Sequence, residues 1–117
     1  MGMDELTNTG PSSVAEVKDG QVRLFTVTCE ECGVQRGSLG ELKGGDAETN
    51  AKAVRATLSG RRSAYHEAVV LNAAAGFLVA GKAETLLEGV ALAHASIAEG
   101  KALAALDKLV EITNAPA

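Results

Sequence analysis

Apolar positions concentrate in one run, residues 68–80, AVVLNAAAGFLVA, in which Asn72 is the single polar side chain. The run is too short to span a bilayer as a helix, which needs about 20 apolar residues. It is too long and too rich in alanine for an ordinary strand. It reads as a helix buried on nearly all sides, which the rest of the chain, or another chain, must cover. Ala73, Ala74, Ala75 and Gly76 carry almost no side chain, so neighbouring backbones can approach closely. A buried Asn72 needs partners, and the favoured reading is a structural hydrogen bond to a neighbouring loop, with a ligand contact as the alternative.

Shorter patterns flank this run. Residues 14–17 and 21–27 alternate as strands, and Asp19-Gly20 between them is a hairpin turn signal, because both residues tolerate positive φ. Residues 37–45, GSLGELKGG, form a glycine-spaced connector. A helix is expected over 47–59, capped by Asp46, with Ala47, Ala51, Val54 and Leu58 on one stripe. Ser63 caps the central helix, whose first turn, Tyr65, His66 and Glu67, reads as solvent-facing. Thr85 and Glu88 match a capping box for a third helix reaching about Ala98. Gly100 separates it from a last helix over 101–113, with Leu103, Leu106 and Val110 turned inward. The fold class is α+β: a β-hairpin, a glycine-rich loop and four helices. It forms one domain over 1–117, with lead-in, hairpin and loop in 1–45 and the helical part in 46–114.

Composition narrows the possible partners. The net charge is −4 with both signs interspersed, which argues against a nucleic-acid footprint. Tyr65, Phe25 and Phe77 are the whole aromatic complement, too few for base-stacking platforms. No secretory leader and no membrane span is read in the sequence, and the two cysteines fit a reducing compartment, so the expected location is the cytoplasm.

Candidate chemistry is sparse. Asp4 and Glu5 are adjacent carboxylates that can share a hard cation with substrate phosphates; by themselves they read as two solvated acids. Cys29 and Cys32 form a C-x-x-C pair, but the intervening Glu30 and Glu31 disfavour thiolate, and only His66 and His94 are available as further zinc ligands. They read as incidental thiols in a loop. Gly44-Gly45 lacks the lysine-serine tail of a phosphate loop, and Asp46 suits helix capping better. His66 and His94 read as bland surface residues. No catalytic constellation and no cofactor-binding residue emerges.

Several segments nonetheless resemble one family. Residues 2–7, GMDELT, then 9–12, TGPS, and the strand carrying Val14 and Glu16 are similar to the start of the last third of anthranilate phosphoribosyltransferase. The segment 44–51, GGDAETNA, matches that family's GGD-x-x-x-NA pattern. Leu58-Ser59-Gly60, residues 69–75, Glu88-Gly89-Val90, Ala93 and Lys101-Ala102-Leu103 continue the likeness in order and spacing.

The resemblance implies an enzyme that transfers phosphoribose from phosphoribosyl pyrophosphate to anthranilate in tryptophan synthesis, with two Mg²⁺ ions. It implies metal-ligand roles for Asp4 and Glu5 in a complete enzyme. The family's glycine-rich pyrophosphate loop, basic substrate residues and helical dimerisation domain lie upstream of the matching region. The expectation is therefore a C-terminal fragment of the α/β domain, inactive alone, whose hairpin is the edge of a larger sheet and whose copies self-associate. The alternative is a non-catalytic helical protein-interaction module.

Overall fold

The computed structural model describes residues 3–117; Gly2 of the GMDELT segment lies outside them. Strands β1 (Ser12–Lys18) and β2 (Gln21–Val27) are followed by 3-10 turns at Glu30–Cys32 and Leu39–Leu42, then helices α1 (Ala47–Leu58), α2 (Ala64–Val79), α3 (Leu86–Ala98) and α4 (Lys101–Thr113). The α+β order matches the sequence pattern.

The hairpin is antiparallel, with Val14 opposite Phe25, Ala15 opposite Leu24 and Val17 opposite Val22. Asp19 and Gly20 both take positive φ, 52° and 74°, as a tight two-residue turn requires. One face places Val14, Phe25 and Val27 against the core. The other leaves Val17, Val22 and Leu24 exposed. Among the described residues these two strands form a sheet of their own.

Helix starts follow their caps. Asp46 Oδ1 accepts from Thr49 N at 2.8 Å, and Ser63 Oγ accepts from His66 N at 3.3 Å. Thr85 Oγ1 accepts from Glu88 N at 3.1 Å, while the Glu88 carboxylate accepts from Glu84 N at 2.9 Å, one residue before the cap. Each such cap stabilises its helix by about 1 kcal/mol.

The core lies between α2 and α3. Val70, Leu71 and Ala74 of α2 meet Val90, Ala93 and Ile97 of α3, closed by Val27, Cys29, Cys32 and Val34. The helices pack so tightly because Gly89 has no side chain: a Cβ there would lie 2.7 Å from Ala74 O and 2.8 Å from Ala74 Cα.

Four expectations change. α2 is buried on one side only: Val69, Ala73 and Gly76 face outward. α4 buries no residue; Leu109, Val110 and Ile112 are all exposed, and Arg55 Nη1 on α1 reaches Asp107 Oδ1 on α4 at 2.9 Å. Its periodicity is amphipathic, but too little chain lies beneath it to cover its apolar side. Val54, expected on the inner stripe of α1, is also exposed. Cys29 and Cys32 are fully packed core residues rather than loop thiols. Gly33, at φ 70°, turns the chain so that Val34 N donates to Cys29 O at 2.9 Å, which folds the cysteines inward.

Gly89→Ala is expected to destabilise the chain by about 1–3 kcal/mol, since the methyl meets backbone that cannot rotate away. A lower urea midpoint with an unchanged slope checks this; an unchanged midpoint would show that the two helices are not locked at this point.

Candidate functional site

Asp4 and Glu5 stand exposed on the lead-in to β1, and the chain immediately after them is held firmly. Asn72 Oδ1 accepts from Leu6 N at 3.0 Å, and Asn72 Nδ2 donates to Leu6 O at 2.8 Å. The same amide nitrogen donates to Ala68 O at 3.0 Å, within its own helix. The single polar side chain of the apolar run therefore clamps the residue next to Glu5, the structural role expected of it. Leucine or alanine at this position leaves one donor and one acceptor of Leu6 without partners.

Residues 7–9 are pinned in turn. Thr7 N donates to Ser12 Oγ at 3.0 Å, and Thr9 N donates to Thr7 Oγ1 at 3.0 Å. Asn8 is fully buried; its Nδ2 donates to Gln35 O and Ala64 O, and its backbone carbonyl accepts from Gly37 N at 3.0 Å. A hollow of about 370 Å³ opens beside this loop, bordered by Asp4, Glu5, Leu6, Ser12, Val14 and Asn72.

The acid pair offers hard oxygen donors beside a fixed backbone. Mg²⁺ is commonly held by one or two carboxylates while it keeps water and substrate phosphate oxygens. The donor set fits that pattern as a partial site. Among the described residues no third His, Cys, Asp or Glu converges on it.

A second polar cluster sits at the start of α2, where the sequence suggests a solvent-facing turn. His66 and Glu67 are instead buried. Glu67 Oε2 accepts from Gln35 N at 2.9 Å, and Glu67 Oε1 accepts from Arg62 Nη2 at 2.9 Å. His66 Nδ1 lies 3.4 Å from Glu67 Oε1, and its ring stacks on His94 with centroids 5.3 Å apart. The signal for this cluster was Arg62, five residues before Glu67, close enough to neutralise a carboxylate turned inward. Burial pushes the His66 pKa down, with the nearby Arg62 charge adding to it; Glu67 opposes and His94 assists. These groups hold the connector against α2, and Arg62 and Glu67 line a cavity of about 230 Å³ with Asn8, Gln35, Arg36 and Ser63.

The cysteines are equally unreactive. Burial raises both thiol pKa values, with Glu30 adding to the effect at Cys29 and Glu31 at Cys32. Arg36 Nε, 2.6 Å from Glu30 Oε1, holds that exposed carboxyl down to about 2, so it stays anionic beside the Cys29 thiol. Gly44-Gly45 is also occupied: Gly45 N donates to Asn50 Oδ1 at 2.9 Å, and the Asn50 amide donates back to Gly45 O at 3.1 Å. The glycine turn is fixed by Asn50, and Asp46 caps α1, as the capping reading expects.

The family described as "Glycosyl transferase family, a/b domain" matches residues 1–103. Anthranilate phosphoribosyltransferase of Chelativorans sp. (strain BNC1) is 54% identical over 113 residues, covering 97% of this chain and 33% of that protein. The crystal structure of anthranilate phosphoribosyltransferase from Thermus thermophilus superposes with a TM-score of 0.85 at 41% identity, over 97% of this chain and 34% of that one. A variant of the Saccharomyces cerevisiae enzyme with Mg bound shares the fold, with a TM-score of 0.77 at 20% identity over 91% of this chain and 31% of its own. The chain thus spans about a third of the length of the relatives it matches. Among the described residues no helix is long and apolar enough to cross a membrane.

Two outcomes test this geometry. Asn72→Ala should speed amide exchange at Leu6 and lower stability by about 1 kcal/mol, the net contribution of a half-buried hydrogen bond; unchanged exchange would remove the clamp. His66 protonates at 6.5 in an ordinary setting and at a lower value here, so the unfolded chain binds more protons in that window. Stability should be full above 6.5 and fall as pH drops through the folded value, and His66→Asn should flatten that slope in urea titrations.

Proposed function

This chain belongs to the glycosyl transferase family, in its a/b domain, and on that premise we propose that it is the metal-carrying part of an anthranilate phosphoribosyltransferase, which transfers phosphoribose from phosphoribosyl pyrophosphate to anthranilate in tryptophan synthesis. The observation that carries the reading is the exposed Asp4-Glu5 pair, clamped through Leu6 to Asn72, in a chain matching such an enzyme along 97% of its length. Asp4 and Glu5 would hold Mg²⁺, which when bound neutralises the oxygens of the departing pyrophosphate. Asn72 fixes the backbone beside Glu5, and Ser12, Asn8 and Gly37 stop the following loop from drifting. The carboxylates would thereby reach the cation from a chain that is held in place directly after them.

Alone, the chain has an incomplete ligand set and is proposed to be inactive. Its place is the cytoplasm. The hairpin's unpaired backbone edges favour association between copies. A second reading, a non-catalytic interaction module, draws on the exposed apolar residues of α2 and α4.

The deciding experiment mixes this chain with the two thirds of the Chelativorans enzyme that it does not match. Mg²⁺-dependent consumption of anthranilate with phosphoribosyl pyrophosphate is expected. Asp4→Asn and Glu5→Gln should each lower turnover by about 100-fold, the effect of losing a preorganised charge stabiliser. Turnover indifferent to both substitutions overturns the metal assignment. A stable mixed complex with no turnover favours the interaction module.

A further inference from the structure

The cavity beside the first turn of α2 combines charge of both signs with a buried oxygen that has no partner. Its volume is about 230 Å³, against the roughly 10–15 Å³ that seats one water. Asn8, in its wall, is fully buried. Asn8 Nδ2 donates to Gln35 O at 3.3 Å and to Ala64 O at 3.4 Å, which fixes that end of the amide as the nitrogen. Asn8 Oδ1 has no hydrogen-bond partner among the described residues. An interior acceptor left unpaired is unfavourable, so this atom calls for a donor.

The charges around that oxygen balance. Arg36 and Arg62 line the cavity together with Glu41 and Glu67. Glu67 is buried like Asn8, whereas both arginine side chains are more than half exposed. Acceptors therefore sit deep, and the guanidinium groups sit nearer solvent. Both arginines hold N–H groups in reserve. Arg36 gives Nε to Glu30 and Arg62 gives Nη2 to Glu67, while a guanidinium has five N–H donors. A bare anion entering here would meet two carboxylates and an amide oxygen. A bare cation would meet two guanidinium groups. A ligand carrying both signs meets a partner at each end.

Gly37 keeps the space open. Its φ is not in the positive range, so its backbone does not require glycine. A Cβ there would lie 3.1 Å from Asn8 Nδ2, 3.1 Å from Ala64 Cβ and 3.5 Å from Glu41 Oε2, all of them in the cavity wall. The missing side chain thus leaves room between the buried amide and the outer carboxylate. Ala64 is the one hydrophobic side chain in the lining, so the wall suits a small polar molecule.

We infer that this cavity binds a small α-amino acid as its zwitterion, the ammonium donating to Asn8 Oδ1 and Glu67 and the carboxylate accepting from Arg36 and Arg62. Guanidinium suits the carboxylate end because its paired N–H groups match two oxygens. Glycine, alanine and serine suit the polar lining; large apolar amino acids find no matching wall. The site is separate from the Asp4-Glu5 hollow, which neither arginine borders, and it does not rest on the proposed function.

The test titrates this chain with glycine, and separately with acetate and with methylammonium, each of which carries one end of glycine. Amide NMR shifts are read at Gln35 and Gly37, whose N–H groups donate to Glu67 and to the Asn8 backbone carbonyl. Saturable shifts at both are expected, with glycine at least about tenfold tighter than either half, because only the whole molecule pairs at both ends. Arg36→Gln should weaken glycine by about tenfold, the loss of one charge-assisted pair. That variant should fold as the wild type does, since the Arg36–Glu30 pair lies at the surface. Gly37→Ala, whose methyl enters the cavity, should weaken glycine as well; where its methyl lowers the unfolding midpoint, Arg36→Gln decides. The absence of saturable shifts at millimolar glycine overturns the site. Acetate binding as tightly as glycine also overturns it, since the cavity would then be a plain anion site. Methylammonium binding as tightly, or glycine binding that Arg36→Gln leaves unchanged, does the same.

Discussion

Everything in this chain is hung on the contact between Gly89 and the backbone of Ala74. Two helices that meet mainly through Ala, Val and Gly bury little area per residue there, so they gain stability by approaching closely. Gly89 permits that approach, and Val70, Leu71, Val90, Ala93 and Ile97 then close around it. Leu71 and Val70 are fully buried there, each contributing about 1.5–3 kcal/mol relative to exposure. The cysteine turn and the hairpin base add a lid to this pair of helices; they do not form a core of their own.

The helix pair also organises the polar parts. Because α2 is fixed against α3 on its Val70–Ala74 side, Asn72 is left at the border of the core, where a half-buried amide can reach another segment. It reaches Leu6 with both a donor and an acceptor. The first turn of α2 does the same for the connector through Glu67 and Gln35 N. Two long-range polar clamps on one helix thus set the paths of the lead-in and the glycine loop. The exposed acid pair inherits its position from a packing contact it does not touch.

Local chemistry was legible in the sequence where the interaction itself is local. Asp19-Gly20, Asp46, Ser63 and Thr85 act within a few residues of themselves, and each does what its type and spacing indicate. Asn72 was legible for another reason: an amide inside an apolar run must find partners, whoever they are. His66, Glu67 and the cysteines were not, because their burial depends on where distant segments turn. The positions 27, 29, 32 and 34 look like the end of a strand and a redox motif; only Gly33 and the approach of α3 make them one buried cluster. For the acid pair, composition alone favours solvated side chains, and a metal role is only what the family resemblance implies.

The apolar pattern of this sequence describes more packing than the chain contains. Val69 and Val79 on α2, Val110 on α4, and Val22 and Leu24 on the hairpin are apolar positions of regular elements, yet each is open in the folded chain. Scattered exposed hydrophobes need no explanation. Here they fall on successive faces of regular elements, and one of those faces includes a helix-interior glycine with no neighbour. Periodicity records the environment in which a helix was selected. The mismatch between pattern and burial is sharpest on α2, beside the Asn72 clamp of the Asp4-Glu5 loop.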